Sequence, residues 1–387
     1  MKFIHTADWH LGKLVQGVYM TEDQRYVLDQ LIEVIEQEKP DAVVIAGDLY
    51  DRAIPPTEAV ELLNNVLERI VIGLKTPVLA ISGNHDSPDR IEFGSKMMED
   101  QGLHLVGQLK KERRTVILSD EYGEVHFHLV PFADPSQVRF ILEDESVRTH
   151  DDAMKAITAG IQSTMDPNAR HIFIGHAFVT PSGEREDNTS ESERTLSIGG
   201  AEYVSAEYYA PFHYTALGHL HQDHYVKREN IRYAGSPLKY SISEEHHRKG
   251  FSMIHIDSKG NVKIERRLLQ PLHDMRRIEA TIEEIMTHPR CEDYVFVTLL
   301  NENPVLFPME KVRSAYPNAM HVERKLAYSN SNDPNSQTRG QSRNQMDPTA
   351  LFAAFYQEVQ GVVLTEEKKR LFAEIYEVVR LEEGHSI

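Results

Sequence analysis

Cysteine is almost absent from the 387 residues. Cys291 is the only one, so no disulfide within the chain and no cysteine-based zinc site can form. Long apolar runs are missing too: nothing approaches the ~20 consecutive apolar residues of a membrane span, so no membrane partner is expected. Positive charge is scarce, with Lys+Arg 42 against Asp+Glu 60 and a net charge of −18 with histidine neutral. That balance excludes a protein that coats polyanions through its overall charge. It leaves room for an enzyme whose cleft has the opposite local sign, above all one that holds metal ions. The opening MKFIHTADWHLG lacks the basic-then-apolar layout of a secretory leader, because Asp8 and His10 interrupt it, and a cytoplasmic protein is expected.

What is present is ordinary in bulk. Hydrophobic residues at 40% and charged residues at 26% exclude a mainly disordered chain. The length predicts two to three domains. In the first hundred residues, short apolar strands alternate with amphipathic helices. Phe3–His5, Ala42–Ala46 and Val78–Ile81 read as strands, the last two buried on both faces. Between them, Thr21 with Gln24 reads as a capping box opening a helix with Val27, Leu28, Leu31, Val34 and Ile35 on one face. Thr57 reads as the cap of a second helix with Val60, Leu63, Val66, Leu67 and Ile70 on one face. This β-α-β-α-β rhythm predicts right-handed crossovers and an α/β fold with helix-covered strands.

Further strands are expected at Val125–Val130, His171–Ile174 and Tyr214–Leu217, with a long polar loop from Thr180 to Gly200 and a hairpin of Phe251–Ile256 with Val262–Arg267. A new unit begins near Pro271, with strands at Tyr294–Leu300 and Met320–Arg324 and helices near 282–286 and 309–316. Four segments result: a domain over 1–270, a small α/β unit over 271–326, a flexible polar linker over 327–347 and a helix pair over 348–387.

The ends of the strands carry the chemistry. They read Asp8-Trp9-His10, Gly47-Asp48-Leu49-Tyr50-Asp51, Gly83-Asn84-His85-Asp86, Gly175-His176 and Gly218-His219-Leu220-His221. Glycine before the ligand lets the chain turn sharply, and Asp-x-His or His-x-His puts two side chains on one side of an extended segment. In sheets with parallel crossovers such ends line one crevice. A mixed Asp/Asn/His set with no thiolate suits Mn²⁺, Fe²⁺ or Zn²⁺ better than Ca²⁺. The seven candidates are too many for one tetrahedral ion and fit two ions sharing a bridging carboxylate, the arrangement used for displacement at phosphorus. His126-x-His128 has the same period without the glycine or the following loop, and reads as strand side chains with no catalytic role. His104, His150, His246, His247 and His273 read as solvated or packing residues, and Trp9 and Tyr50 as packing residues beside ligands.

HTADWHLG, AGDLYD and SGNHD, in this order, resemble the calcineurin-like metallophosphoesterases, whose fold is a two-sheet sandwich flanked by helices. With IGHAFV, ALGHLH, YAGSPLKYS and MRRIEA, most of the chain is similar to the SbcD family, the bacterial counterpart of the eukaryotic double-strand-break repair nucleases. The resemblance implies two divalent ions, Mn²⁺ foremost, with Asp8, His10, Asp48 and His221 around one and Asp48, Asn84, His176 and His219 around the other. It leaves His85 as a non-ligand that acts on the scissile phosphate or protonates the leaving oxygen. Asp51 is placed beside it. In the phosphatase branch the corresponding carboxylate pairs with the catalytic histidine, and the alternative here is a turn-stabilising contact. The resemblance further implies a small capping domain and C-terminal helices that hold an SbcC-type ATPase, in a homodimer within a heterotetramer that is nucleoid-associated when on DNA. The activity it implies is ATP-dependent 3′→5′ exonuclease action on duplex ends and endonuclease action on single strands and hairpins. A metallophosphatase or cyclic-nucleotide phosphodiesterase with the same centre is the alternative. For DNA contact, Arg52 is a weak candidate, and the run Lys110, Lys111, Arg113, Arg114 reads first as a solvated charged face. The apolar stripes Leu351, Phe355, Val359 and Leu371, Ile375, Val379, with Phe352, Phe372 and Tyr376 alongside, predict helix-in-groove docking on the ATPase coiled coil.

Overall fold

The computed structural model describes residues 1–184, 202–325, 348–360 and 362–383. Most of the loop expected over 180–200 and the whole linker expected over 327–347 lie outside the described residues. Contacts within the chain divide it into two compact units, Met1–Lys325 and Leu326–Ile387.

Two six-stranded sheets dominate the first unit. The first holds β1 (Lys2–Thr6), β2 (Ala42–Ala46), β3 (Val78–Ile81) and β4 (Leu103–Val106), all parallel. The second holds β5 (Arg114–Asp120), β6 (Gly123–Val130), β7 (Arg170–His176), β8 (Tyr214–Gly218), β9 (His224–Val226) and β10 (Arg228–Tyr233), in the order β9-β10-β8-β7-β6-β5. The chain then returns to the first sheet as the hairpin β11 (Gly250–Ile256) and β12 (Val262–Leu268), with β11 antiparallel to β1. The order there is β12-β11-β1-β2-β3-β4.

Alternation explains the layering. Phe3, Val44, Leu79 and Ile81 of the first sheet face Phe127, Leu129, Ile172, Ile174 and Tyr214 of the second in one cluster between the sheets. Phe3 and Phe127 meet edge to face, with centroids 5.4 Å apart. The opposite residues of the same strands, Ile4, Val43, Ile45 and Val78, pack under the helices Thr21–Glu38 and Thr57–Glu68. Phe173, Leu217 and Ile231 lie against the helix His150–Gln162 on the other side. The strands are therefore buried on both faces, as their unbroken apolar runs require.

Two helix details differ from the sequence reading. Neither Thr21 nor Thr57 caps its helix; the caps are Met20 and Pro56, without a side-chain hydrogen bond. The buried face of the second helix runs through Ala59, Leu62, Leu63, Val66 and Leu67, leaving Val60 44% exposed. Pro56 takes the cap position in extended backbone, with ψ 155°.

A third, parallel sheet of β13 (Met275–Ala280), β14 (Tyr294–Leu299) and β15 (Ala319–Arg324) completes the unit. It is attached through an apolar cluster, in which Met275, Tyr294 and Met320 pack with Val15, Met20 and Ile242, and through polar contacts. Asp23, buried at the start of the first helix, accepts from Tyr294 Oη at 2.7 Å and from the His273 backbone N–H at 3.2 Å. Lys239 Nζ reaches Asp274 at 2.8 Å. The second unit contains the helices Pro348–Gln360 and Glu366–Glu383. Phe352 and Phe372 stack between them, centroids 4.0 Å apart. No helix among the described residues is long and apolar enough to cross a membrane.

Candidate metal centre

The loops after β1, β2, β3, β7 and β8 converge at one end of the sandwich, and their backbones are unusual. Asp8, His10 and Asp48 have φ of 55°, 45° and 51°, and His219 has 106°. Left-handed backbone costs a non-glycine residue roughly 1–2 kcal/mol, so four of the seven expected ligands stand where the surroundings must hold them. Hydrogen bonds between the loops do the holding. Asp8 N donates to Gly47 O at 3.0 Å, His10 N to Asp48 O at 3.0 Å and Leu11 N to Leu49 O at 2.9 Å. The β1–β2 ladder thus runs on past the strands. Gly47 has φ 94°, a turn that favours glycine, and a Cβ on Gly83 would lie 2.2 Å from Asp48 Oδ1.

The expected ligands also pin one sheet to the other. Asp8 Oδ1, from the first sheet, accepts from His219 N at 2.9 Å. His176, from the second, donates Nδ1–H to Ala46 O at 2.9 Å, which turns its Nε2 toward the loops of the first sheet. That Nε2 lies 2.8 Å from Asn84 Oδ1 and 3.4 Å from Asp48 Oδ2. His219 Nδ1 is 3.3 Å from the same Asn84 oxygen. On the other side His10 Nε2 lies 3.6 Å from Asp48 Oδ2 and 3.0 Å from His221 Nε2. Asp48 therefore stands between two groups of donors. Its Oδ1 is held by His85 N at 2.8 Å, while Oδ2 faces both.

The electrostatics suit a cation. Burial holds the His10 and His219 imidazoles well below their usual pKa, in the neutral form that binds metals. Burial pushes the Asp8 carboxyl up to about 7, despite the nearby His176 and His221. For His176 burial also opposes the charge, but Asp48 and Asp8 outweigh it and raise the imidazole to about 9. Asp8 Oδ2 is buried without a hydrogen-bond partner among the described residues. A buried carboxylate oxygen with no donor is costly unless a cation faces it. Ligand atoms of Asp8, Asp48 and His176 lie within 4.8 Å of one another, as do those of His10, Asp51 and His85. With oxygen and imidazole donors and no thiolate, the set fits divalent ions.

His85 and Asp51 meet, though differently from the phosphatase pattern. His85 Nδ1 donates to the backbone carbonyl of Asp51 at 2.7 Å. The Asp51 carboxylate turns instead to Lys13 Nζ at 2.8 Å and to His10 Nδ1 at 3.8 Å. Trp9 is fully buried, its indole N–H on Thr6 Oγ1, and Arg52 is exposed. Three of the four residues of the basic run are paired with carboxylates: Lys110 with Glu92, Lys111 with Glu143 and Arg114 with Glu99. His128 lies in a satisfied chain, between Thr115 Oγ1 at 3.1 Å and His171 Nδ1 at 3.0 Å, while His171 Nε2 meets Asp166 O at 2.8 Å.

Sequence reasoning missed a supporting layer. Glu244 Oε1 lies 3.1 Å from His221 Nδ1, so the carboxylate orients that imidazole and leaves Nε2 toward the centre. Lys249 Nζ bonds to Glu244 Oε2 and, at 2.9 Å, to the His221 carbonyl. Both sit in SEEHHRK, which reads as a solvated charged run and carries no signal of burial. Asp86 accepts from Leu49 N, Tyr50 N and Gly83 N, tying the β2 loop to the β3 loop. Its place in SGNHD was the available signal.

Residues 1–223 match the calcineurin-like phosphoesterase family, and residues 271–360 match the Type 5 capsule protein repressor C-terminal domain. The SbcD subunit of the SbcCD nuclease from Staphylococcus saprophyticus is 33% identical over 390 residues, 99% of this chain and 100% of that protein. Its namesake from Staphylococcus epidermidis is 36% identical over 324 residues, 83% of this chain and 84% of that one. A centre of this composition at the carboxyl ends of a two-sheet sandwich, in a chain that aligns nearly end to end with these proteins, leads to one assignment: the chain belongs to the calcineurin-like phosphoesterases and, within them, to the SbcD family of SbcCD nuclease subunits.

Proposed function

We propose that this chain is the metal-dependent nuclease subunit of an SbcCD-type complex, working on DNA in repair, recombination and replication. The observation that carries the proposal is Asp48, one carboxylate oxygen fastened by His85 N and the other facing both His10 and His176. Asp8, His10, Asp48 and His221 would hold one ion, and Asp48, Asn84, His176 and His219 the other, with Mn²⁺ the preferred metal. Such ions supply Lewis acidity toward a phosphoryl oxygen and make water nucleophilic at neutral pH. The chain's residues do the rest. Glu244 fixes the His221 ring, and the carbonyl of Ala46 fixes that of His176. His85, with Nδ1 committed to the Asp51 carbonyl, would present Nε2 to the phosphate and protonate the leaving oxygen. Lys13 holds the Asp51 carboxylate beside His10, which makes Asp51 a support of that histidine.

The family layout supports 3′→5′ exonuclease action on duplex ends and endonuclease action on single strands and hairpins. It also supports segments of nuclease (1–270), cap (271–326), linker (327–347) and ATPase-binding helices (348–387), and a homodimer within a cytoplasmic, nucleoid-associated heterotetramer. Hydrolysis of linear duplex DNA, hairpins and small phosphoesters by the complex in Mn²⁺ tests the reading. DNA should be the better substrate, chelation should stop the reaction, and Mn²⁺ should restore it better than Ca²⁺. Asp48→Asn should lose both the metals and the activity. Full activity in excess chelator would sink the metal mechanism, and a marked preference for small phosphoesters would favour a phosphatase.

A further inference from the structure

Gln24 lies in the first turn of the helix Thr21–Glu38, fully buried, where its spacing from Thr21 leads one to expect a capping box. It does something else. Its Oε1 accepts from Gly12 N at 3.1 Å. Its Nε2 donates to the carbonyls of His10 at 2.8 Å and Trp9 at 3.1 Å, and lies 3.2 Å from Tyr240 Oη. The Tyr240 hydroxyl itself donates to the Trp9 carbonyl. The amide orientation is fixed by these partners, because a flip would set an oxygen against two carbonyl oxygens and an NH₂ against an N–H. One side chain therefore spans the backbone from residue 9 to residue 12, across His10 at φ 45° and Gly12 at φ 82°.

We propose that Gln24, backed by Tyr240, is a positioning residue for His10: it satisfies the carbonyls that the left-handed turn exposes, and so keeps the His10 imidazole turned toward Asp48 and His221. The inference rests on the metal centre proposed above. Neither residue reaches the reacting atoms. The clamp touches the β1 loop, and the Tyr240 ring meets the His10 and His221 rings edge-on at 5.6 and 5.8 Å, so its loss should be felt on the His10–His221 side of Asp48 and not on the His176–Asn84–His219 side. That asymmetry separates a positioning role from a general packing role.

The test is Mn²⁺ titration of the full-length chain, followed by electron paramagnetic resonance, with steady-state nuclease kinetics alongside. Gln24→Glu keeps the acceptor for Gly12 N but removes both donors, and Gln24→Met keeps the size and removes every bond. Each should weaken one of two Mn²⁺ ions by about 10–100-fold, the scale of outer-layer losses at metal sites, and leave the other unchanged. kcat should fall without a matching rise in KM. Tyr240→Phe, a milder change that leaves the apolar body in place, should give a smaller loss on the same ion. Equal weakening of both ions in step with a lowered Tm would make Gln24 a packing residue and overturn the inference, as would unchanged binding in Tyr240→Phe and both Gln24 variants. A wild-type chain that binds no Mn²⁺ would remove the metal centre and this inference together.

Discussion

At the scale of single residues, His85 carries the sharpest question, because two roles predict different measurements. Its backbone N–H binds Asp48 Oδ1 and its Nδ1 binds the Asp51 carbonyl, so the ring is fixed beside Asp48. Ligand-type atoms of His85, His10 and Asp51 nevertheless come within 4.8 Å of one another. As a proton donor, His85→Gln should keep both ions and DNA affinity and lose on the order of 10²–10⁴ in rate. As a ligand, it should lose metal in proportion to activity. Metal analysis of the purified variant, beside its turnover, decides between them. The strand-end positions of the proposed ligands were legible because the physics that places them is local: a strand ends, a glycine turns the chain, and an Asp or His follows. Glu244 and Lys249 were not legible, because their burial behind His221 depends on the chain returning to the site, and nothing in a charged run announces that. Gln24 was misread for a related reason. A glutamine three residues after a threonine fits a cap, and only the position of the β1 loop turns it inward.

Secondary-structure elements show the same division, and one contact between them makes a pH-dependent prediction. The strands β1–β3, β6–β8, β11 and β12 were visible as apolar runs with turn signals between them. β5 was not, although it holds Val116-Ile117-Leu118; it follows directly on the charged run Lys110–Arg114 and lies at the sheet edge, with only Val116 of these buried. β13 is more polar, with Arg276, Arg277 and Glu279 set among buried Met275, Ile278 and Ala280. The far end of β5 is fastened to β7. Arg170 is buried and grips both Asp120 oxygens, at 2.9 and 2.6 Å, while also donating to the Gly123 carbonyl at 2.8 Å. Arg170 holds the Asp120 carboxyl well below the usual carboxylate range. A carboxyl lowered by folding contributes stability that is complete above its unfolded pKa of about 4 and is lost as the pH falls toward the folded value. Asp120→Asn should therefore cost roughly 2 kcal/mol at pH 7, since Arg170 is buried but water screens the sheet edge. The gap between variant and wild type should close on acidification below about pH 4. Urea unfolding at pH 7 and at several acidic values checks this. A gap that stays constant with pH would mean that the pair contributes through shape and not through charge.

For the whole molecule, charge and architecture converge on a partner. A chain with net charge −18 would have to hold DNA against its own overall field, and three residues of the basic run that could have helped, Lys110, Lys111 and Arg114, are paired with Glu92, Glu143 and Glu99. Bound metal ions offset part of the field locally; a partner that grips the duplex would supply the rest. The helix pair offers a place for one. Phe352 and Phe372 satisfy each other in a stack, while Leu351, Phe355, Leu371 and Ile375 stay between 43% and 58% exposed. Burying half of such a side chain is worth about 1 kcal/mol. The four together contribute about 4 kcal/mol, close to a thousandfold in affinity, enough to secure a docked complex but not to form one alone. Substituting Phe355 or Leu371 by Asp should weaken co-purification with an SbcC-type ATPase by about tenfold or more, through lost burial and a charge placed in an apolar interface. Removing residues 348–387 should abolish it. The first unit has its own sheets, clusters and metal-site residues within Met1–Lys325, so the shortened chain should remain folded, bind Mn²⁺ as before and still cut single-stranded DNA. What it should lose, on the proposed function, is ATP-stimulated action on duplex ends. Pull-down of the ATPase by the shortened chain with undiminished affinity would show that docking lies elsewhere on the molecule, and loss of single-strand cutting along with ATPase binding would show that the helix pair serves the nuclease itself.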